Sequence, residues 1–516
     1  MTEIVSFDCI FALTFTNLIL MITTRMNTSI FLKLSTLIIT FASLSLSIHS
    51  QGLEAYFSHG AYQIPNKEPY VEVYFTFAGR SISWQNDQGF KKSNLEITLA
   101  LWKDTTLISV SKEILNHKIE DDSLANRKNL TYLQRMEATE GTLRLQVVLD
   151  DLNDTIKPIE TGALIDVHFP VDSTCISSVM AVENISPTKV PNKLSKSGYD
   201  LTPSVFNFFP TNVNKFNFYA EIYPGNKLKK NQSYLLIYYL KNHESNRLLP
   251  NYKSFKRMKA ADVNILLNSF DISNLASGNF DFVIEARDSL NQLLTTQYYF
   301  FHRENGNVKM EVTDVASVNV ANSFVEKYTK KDSLALILRS MNPISSDNEK
   351  EFVKNIIATG DLYVMQQYLL HFWEQRDLAN PESPFRAYMN EVAIAEKNYK
   401  TRIQHGFETD RGRVYLQYGP PNTISQNYNE PSAYPYEIWH YYNLKNQRNR
   451  RFVFYNSDLA SNTFVLLHSD AIGEPNNLQW RYHLRMRDTG YDSIDDTGEN
   501  QNDWGSRYNE WYNEPR

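Results

Sequence analysis

Five residues late in the chain carry side chains suited to acid–base or metal chemistry: His405, Asp410, Arg411, Glu437 and His440. Brought together, they would supply a general acid and base and a cation for developing negative charge, or a mixed nitrogen and oxygen donor set for a metal. Their surroundings point to a plainer role. No H-E-x-x-H, no G-x-S-x-G, no phosphate loop, no EF-hand spacing and no Cys/His ligand pairs occur. Asp410 beside Arg411 suits a turn anchored by bonds to backbone N–H groups. His440 sits on an alternating run among aromatics, where a hydrogen-bonded core histidine is the expectation. No catalytic residue, metal ligand or cofactor is assigned on this pattern.

The stretch that must position these groups is His405 to Pro421, H-G-F-E-T-D-R-G-R-V-Y-L-Q-Y-G-P-P. Gly406 and Gly412 bracket Thr409, Asp410 and Arg411, which reads as a turn. Val414, Leu416 and Tyr418 then alternate with Arg413, Tyr415 and Gln417, as in a half-buried strand, and a short amphipathic helix fits nearly as well. Gly419, Pro420 and Pro421 end the element.

Gly406-Phe407-Glu408-Thr409-Asp410 resembles the GWxTD signature of a domain found in envelope proteins of Bacteroidota, with Phe407 replacing the signature tryptophan. The resemblance continues through Arg411-Gly412-Arg413, Tyr418 to Pro421, Tyr436-Glu437-Ile438-Trp439-His440-Tyr441 and Phe452-Val453-Phe454, and upstream to Phe372-Trp373-Glu374-Gln375-Arg376-Asp377. It covers roughly residues 315 to 480 and implies a fold and an envelope location, without a reaction. Gly406, Phe407, Thr409, Asp410, Arg411, Gly412, Gly419, Pro420 and Trp439 are the signature positions, expected to form a structural turn. The element order of this region is also similar to small lipoproteins of outer-membrane assembly, which implies a docking platform.

A chain of 516 residues is too long for one core and implies several domains. A net charge of -6 provides no footprint for nucleic acid. Two apolar runs open the chain. Ile4 to Thr24 carries Glu3 and Asp8 near its start, the wrong sign for a secretory leader. Met26 to Ser50, with Lys33 ahead of Leu34 to Leu46 and small residues after, has the layout of a signal peptide. Residues 1–25 are therefore expected to be an over-extended start and 26–50 a signal peptide, the alternative being a membrane helix over Ile4 to Thr24. Cys175 is the lone cysteine after this leader, so no internal disulfide is expected in the exported part, and a small buried hydrophobe is the reading.

Period-two runs, such as Leu95, Ile97, Leu99 and Leu101, predict a first β-sandwich over 51–183. Asn184 to Leu201, with two prolines and repeated Lys and Ser, reads as a linker. A second, immunoglobulin-like sandwich is expected over 202–307, closed by a hairpin of Phe280, Phe282 and Ile284 against Tyr298 to Phe301. Apolar residues at helical spacing predict a helical segment over 308–400, with Asp332-Ser333 and Ser346-Asp347 as caps and Met365, Leu369, Phe372 and Trp373 as core. A small α/β module follows over 401–486, with strands at 436–442, 451–455 and 462–468.

The tail, 487–516, begins acidic and ends with Trp504, Tyr508, Trp511 and Tyr512 on one helical face, which either folds back or docks on a partner. The fold class expected is thus multidomain β plus α/β: two tandem immunoglobulin-like sandwiches, a helical segment and a small C-terminal module. The expected function is an exported, non-enzymatic envelope protein that docks a protein partner through that module and reaches the membrane through the partner. A hydrolase or metal-dependent enzyme centred on Asp410, Arg411 and His440, or a glycan binder using exposed aromatics, are the alternatives.

Overall fold

The computed structural model describes residues 53–485, apart from short internal stretches, and residues 507–513. The expectations placed on residues 1–25 and 26–50, and on Trp504, fall outside the described residues.

The chain is mostly β, in several antiparallel sheets. β1 (Ala55–Gln63), β2 (Pro69–Phe77) and β6 (Leu130–Glu137) form one sheet in the order β1-β2-β6. β3 (Gln85–Asp87), β4 (Phe90–Lys103), β7 (Gly141–Asp151) and β8 (Ile159–Val167) form a second, with β5 (Thr106–Ile119) along β4. The alternation read in the sequence is the inward face of this second sheet: Ile97, Leu99 and Leu101 pair with Leu149, Val147 and Leu145, and all six are buried.

A third sheet contains β9 (Cys175–Ile176), β10 (Met180–Pro187), β11 (Ser195–Lys196), β12 (Tyr199–Pro203), β14 (Lys215–Tyr223) and β17 (Asn264–Asp271). A fourth runs in the order β13 (Phe208–Phe209), β19 (Leu293–Arg303), β18 (Gly278–Arg287), β15 (Ser233–Asn242) and β16 (Leu248–Lys259). The third and fourth sheets close face to face over a ring-rich core in which Phe216, Phe218, Phe282 and Phe301 are buried. The β18–β19 hairpin forms in the register Phe280↔Phe301. Cys175 is buried, and burial pushes its thiol up to about 11, which leaves it a hydrophobe at neutral pH.

Residues 184–201 are not a linker. They are the β10–β12 hairpin, with Ile185 opposite Leu201, and β10 also pairs with β14 through Met180↔Tyr219. Pro187 stands at the end of its strand, where a missing N–H costs little. The polar composition misled because Lys196 is turned inward: its Nζ lies 2.9 Å from buried Glu72 and 3.1 Å from the centre of the Tyr62 ring. Tyr62, Tyr74, Leu133, Met180, Val182, Leu201 and Tyr219 share one cluster, so the first sheet packs directly on the third. Strand β2 is accordingly buried on both faces, Val71 and Val73 on one and Glu72 and Tyr74 on the other.

The period change beyond residue 307 is real. Helices α1 (Lys331–Ser340), α2 (Asp347–Thr359), α3 (Leu362–Glu374), α4 (Glu382–Tyr399) and α5 (Asp410–Tyr418) precede a sheet of β20 (Thr423–Asn427), β21 (Tyr436–Leu444), β22 (Gln447–Tyr455) and β23 (Val465–Ser469), in that order. Two short helices follow, α6 (Trp480–Arg485) and α7 (Tyr508–Asn513). Ser346 caps α2 in a capping box with Glu349. The cap expected at Asp332-Ser333 does not form: α1 starts one residue earlier, after Lys330, and both residues lie inside its first turn. Met365, Leu369, Phe372 and Trp373 are core residues.

The boundary expected near residue 400 is absent. Tyr388 and Met389 of α4 pack against the helical cluster and also against the cluster beneath the sheet, so α4 belongs to both. The sheet is covered on its other face by α6 and α7.

Candidate functional site

The signature begins in the backbone of α4. Gly406 lies against that helix: a Cβ there would sit 2.1 Å from the Ala395 carbonyl oxygen. Gly412 lies in turn against Gly406, where a Cβ would fall 1.8 Å from the Gly406 oxygen. Neither glycine is required for a positive φ, since both positions are occupied for closeness. The expected turn over 406–412 is instead one turn of 3-10 helix, Gly406–Glu408, followed by the start of α5. Thr409 is the N-cap: its hydroxyl accepts the Gly412 N–H at 3.1 Å and donates to the Gly406 oxygen at 2.8 Å. The helical reading of 414–418 is correct, and Gly419, at φ 85°, closes the helix before exposed Pro420. Phe407 is buried beside Val392 and Ala395, so an apolar ring suffices at this position.

Glu396 of α4 anchors the entry. It accepts the Gly406 N–H at 2.6 Å and pairs with His405 and Lys400. Partial burial pushes its carboxyl up, but the bonds from Lys400, the Gly406 N–H and His405 outweigh this and bring it down to about 2. Asp410 bonds backbone as expected, but at a distance: its carboxylate accepts the Leu466 N–H at 2.7 Å and ties α5 to β23.

Of the five candidates, the structure bonds two directly. Arg411 donates from Nη1 to Glu437 Oε1 at 2.7 Å, with both side chains buried. Glu437 also accepts Tyr428 at 2.8 Å and the Trp439 indole at 2.9 Å, so three donors converge on one carboxylate. The Arg411 guanidinium lies 4.2 Å from the centre of the Phe464 ring and 5.5 Å from that of Tyr399. Above this group opens a pocket of about 520 Å³, lined by Asn398, Tyr399, Arg411, Ile424, Gln426 and Tyr428 among others. Its wall on one side is β20, an edge strand that the sequence reading missed. The signal was present: Ile424, Gln426 and Tyr428 alternate as a strand would, and the structure pairs Ile424 with Trp439 and Gln426 with Glu437.

The remaining candidates lie elsewhere. His405 is held by Glu396. His440 alternates to the opposite face of β21 from Glu437, bonds Asn449, and is pushed to lower pKa by burial. Among the described residues no cluster of His, Cys, Asp or Glu is arranged to hold a metal.

Of the two readings of the aromatic stripe, folding back or docking on a partner, Tyr508, Trp511 and Tyr512 take the first. Tyr508 is fully buried, Trp511 packs on Tyr436, and Tyr512 packs on Trp480 and bonds His468 at 2.9 Å. Without α7 the face bearing Tyr436, Ile438 and Val453 would lose part of its cover, so the rings serve this chain's own sheet. Burial, with Arg481 nearby, pushes His468 down to about 4. A folded pKa below the unfolded value of about 6.5 means that stability is fully present above pH 6.5 and is lost as pH falls towards 4. The loss is on the order of 3 kcal/mol. Melting of the full chain at pH 7 and near pH 4.5 should therefore show a larger drop for wild type than for His468→Gln. Equal drops would refute the assignment.

Residues 298–480 match the family model of the GWxTD domain. This chain carries a GWxTD domain. The match starts within β19, upstream of the expected limit, and ends at the first residue of α6. No curated protein matches the chain. Among solved structures, a red sea bream transglutaminase is similar over 49% of this chain and 31% of its own, at 9% identity and a TM-score of 0.17. This chain thus spans about a third of that enzyme. Fibronectin(III)-like modules of Clostridium thermocellum CbhA are similar over 47% of this chain and 89% of theirs, at 11% identity and a TM-score of 0.13. Scores this low transfer no activity.

Proposed function

We propose that this protein is an exported, non-enzymatic component of the cell envelope, a subunit or accessory factor of an envelope or outer-membrane assembly that docks a protein partner through its GWxTD domain. The two immunoglobulin-like sandwiches give reach, and the GWxTD domain engages the partner. Export rests on the leader-like layout of residues 26–50. Among the described residues no helix is long and apolar enough to cross a membrane. The observation that carries the docking reading is the open side of β20. An edge strand offers a row of backbone donors and acceptors to an incoming strand, and a pocket beside it takes alternate side chains. Ile424 and Tyr428, both 43% exposed, flank Gln426 along that wall. The charged signature residues support rather than compete with this role, because Arg411 and Glu437 are committed to each other.

A photo-crosslinking side chain at Gln426 of the full chain in envelope membranes should give one discrete protein adduct. The same probe at Leu378, exposed in the loop between α3 and α4, should not. Equal labelling at both positions, or none at Gln426, would overturn the docking reading.

A further inference from the structure

The outermost strand of the fourth sheet, β16, is cationic along its exposed half. Lys253, Lys256, Arg257 and Lys259 are all exposed, and no acidic residue occurs between Leu248 and Lys259. The chain as a whole has a net charge of -6, so this concentration runs against its average. Two further exposed lysines join it: the 229–232 turn is held to the end of β16 by bonds between Asn231, Gln232 and Ala260, which places Lys229 and Lys230 beside Lys259. None of the six takes part in an ion pair among the described residues. The adjacent strand β15 carries no acidic residue, and the two carboxylates of β18 beyond it are already engaged. Glu285 is taken by Arg287 at 2.7 Å and Tyr239 at 2.8 Å, and Asp281 by His243 at 3.0 Å.

Amid these cations stands Phe255, 74% exposed. It shares the outward face of β16 with Lys253 and Arg257, since alternate residues of a strand point the same way. It sets one apolar ring among the cations of that face.

We infer that β16 and the 229–232 turn form a membrane-surface contact that takes the anionic headgroups of a phospholipid bilayer, with Phe255 entering the headgroup boundary. On the face that bears Phe255, Lys253, Arg257 and Lys259 lie along a line of about 20 Å, a geometry that suits a flat charged surface. Cations at such a surface gain from the negative potential of the leaflet within a Debye length, and a single ring adds apolar burial. A nucleic-acid platform would call for successive rings on which bases stack, and here there is one. The contact is independent of the β20 pocket and gives the protein its own hold on a membrane.

The test is co-sedimentation of the full chain with vesicles of phosphatidylcholine, with and without about one third phosphatidylglycerol. Comparing the two vesicles isolates the anionic contribution from any binding by the apolar N-terminal segments. Phosphatidylglycerol should raise the bound fraction, and salt from roughly 0.05 to 0.5 M should remove the gain. Lys253→Glu/Arg257→Glu should cut the gain at least about tenfold, and Phe255→Ala severalfold while leaving the salt dependence in place. Both variants change exposed side chains, and unchanged circular dichroism verifies the fold. No gain with phosphatidylglycerol would overturn the inference and leave the lysines as a guard against edge-to-edge pairing. So would a gain that survives the charge reversal, or tighter binding to double-stranded DNA or polyglutamate than to the anionic vesicles.

Discussion

Gly412→Ala is expected to prevent the GWxTD domain from reaching its folded state. The methyl group would have to occupy a point 1.8 Å from the Gly406 oxygen and 2.7 Å from the Gly406 carbon, both backbone atoms. A flexible side chain could swing aside, but this carbonyl also accepts the Thr409 hydroxyl that caps α5. Gly406 cannot retreat either, because its own Cα position is set against the Ala395 carbonyl of α4. Relief would require α5 to move away from α4, opening the core that contains Val392, Ala395, Val414 and Trp439. Overpacking in a core with room to adjust costs about 1–3 kcal/mol, and here backbone meets backbone, so a loss of about 4 kcal/mol or more is expected. Thermal melting and limited proteolysis of the full chain would read it. Gly306→Ala is the matched control: nothing lies within 4 Å of its added carbon, and a change within about 0.5 kcal/mol is expected. If Gly412→Ala melted like the control, the close junction between α4 and α5 would be refuted.

These contacts show what kind of information a sequence carries. Period-two runs such as Leu95 to Leu101 announced the inner face of a sheet because one side of β4 is core and the other is not. Strand β2 alternates as well, Val71, Val73 and Phe75 against Glu72, Tyr74 and Thr76, but there the more polar side is covered too, so alternation did not mark an exposed face. Lys196 made the β10–β12 region look solvated, because the Glu72 that neutralises it lies more than a hundred positions away in the chain. The two signature glycines were read as turn formers, the ordinary local meaning of glycine, whereas their need is set by Ala395 and by each other. The aromatic stripe of Tyr508, Trp511 and Tyr512 declared an apolar surface to be covered, and only the position of the second sheet face said which surface it was. For the site, the residue types Arg411 and Glu437 were legible from the motif. Their partners Tyr428 and Phe464 were not, because loop and edge-strand residues acquire their neighbours through topology.

Removing the Glu437 carboxylate should have the second large effect, and its pattern separates a frame from an active centre. Glu437→Leu takes from the buried Arg411 guanidinium the carboxylate it bonds at 2.7 Å and deprives Tyr428 and Trp439 of a shared acceptor. Breaking a buried pair from one side costs about 3–5 kcal/mol, because the surviving charge stays desolvated. Arg411→Met alone should cost a similar amount, since Glu437 then retains only two neutral donors. The double variant Arg411→Met/Glu437→Leu should be markedly less damaged than the sum of the two, by about 2–3 kcal/mol, as no lone charge remains. It should still fall short of wild type, because the buried Trp439 indole N–H stays without an acceptor, at about 1–3 kcal/mol. Denaturant unfolding of the four proteins measures this coupling directly. Strict additivity would refute the buried pair as the frame of the signature. Crosslinking from Gln426 in the double variant then supplies the functional arm: if the pair only shapes the pocket wall, a refolded apolar frame keeps the adduct. If the pair's charges themselves bind the partner, the adduct disappears although the domain is folded.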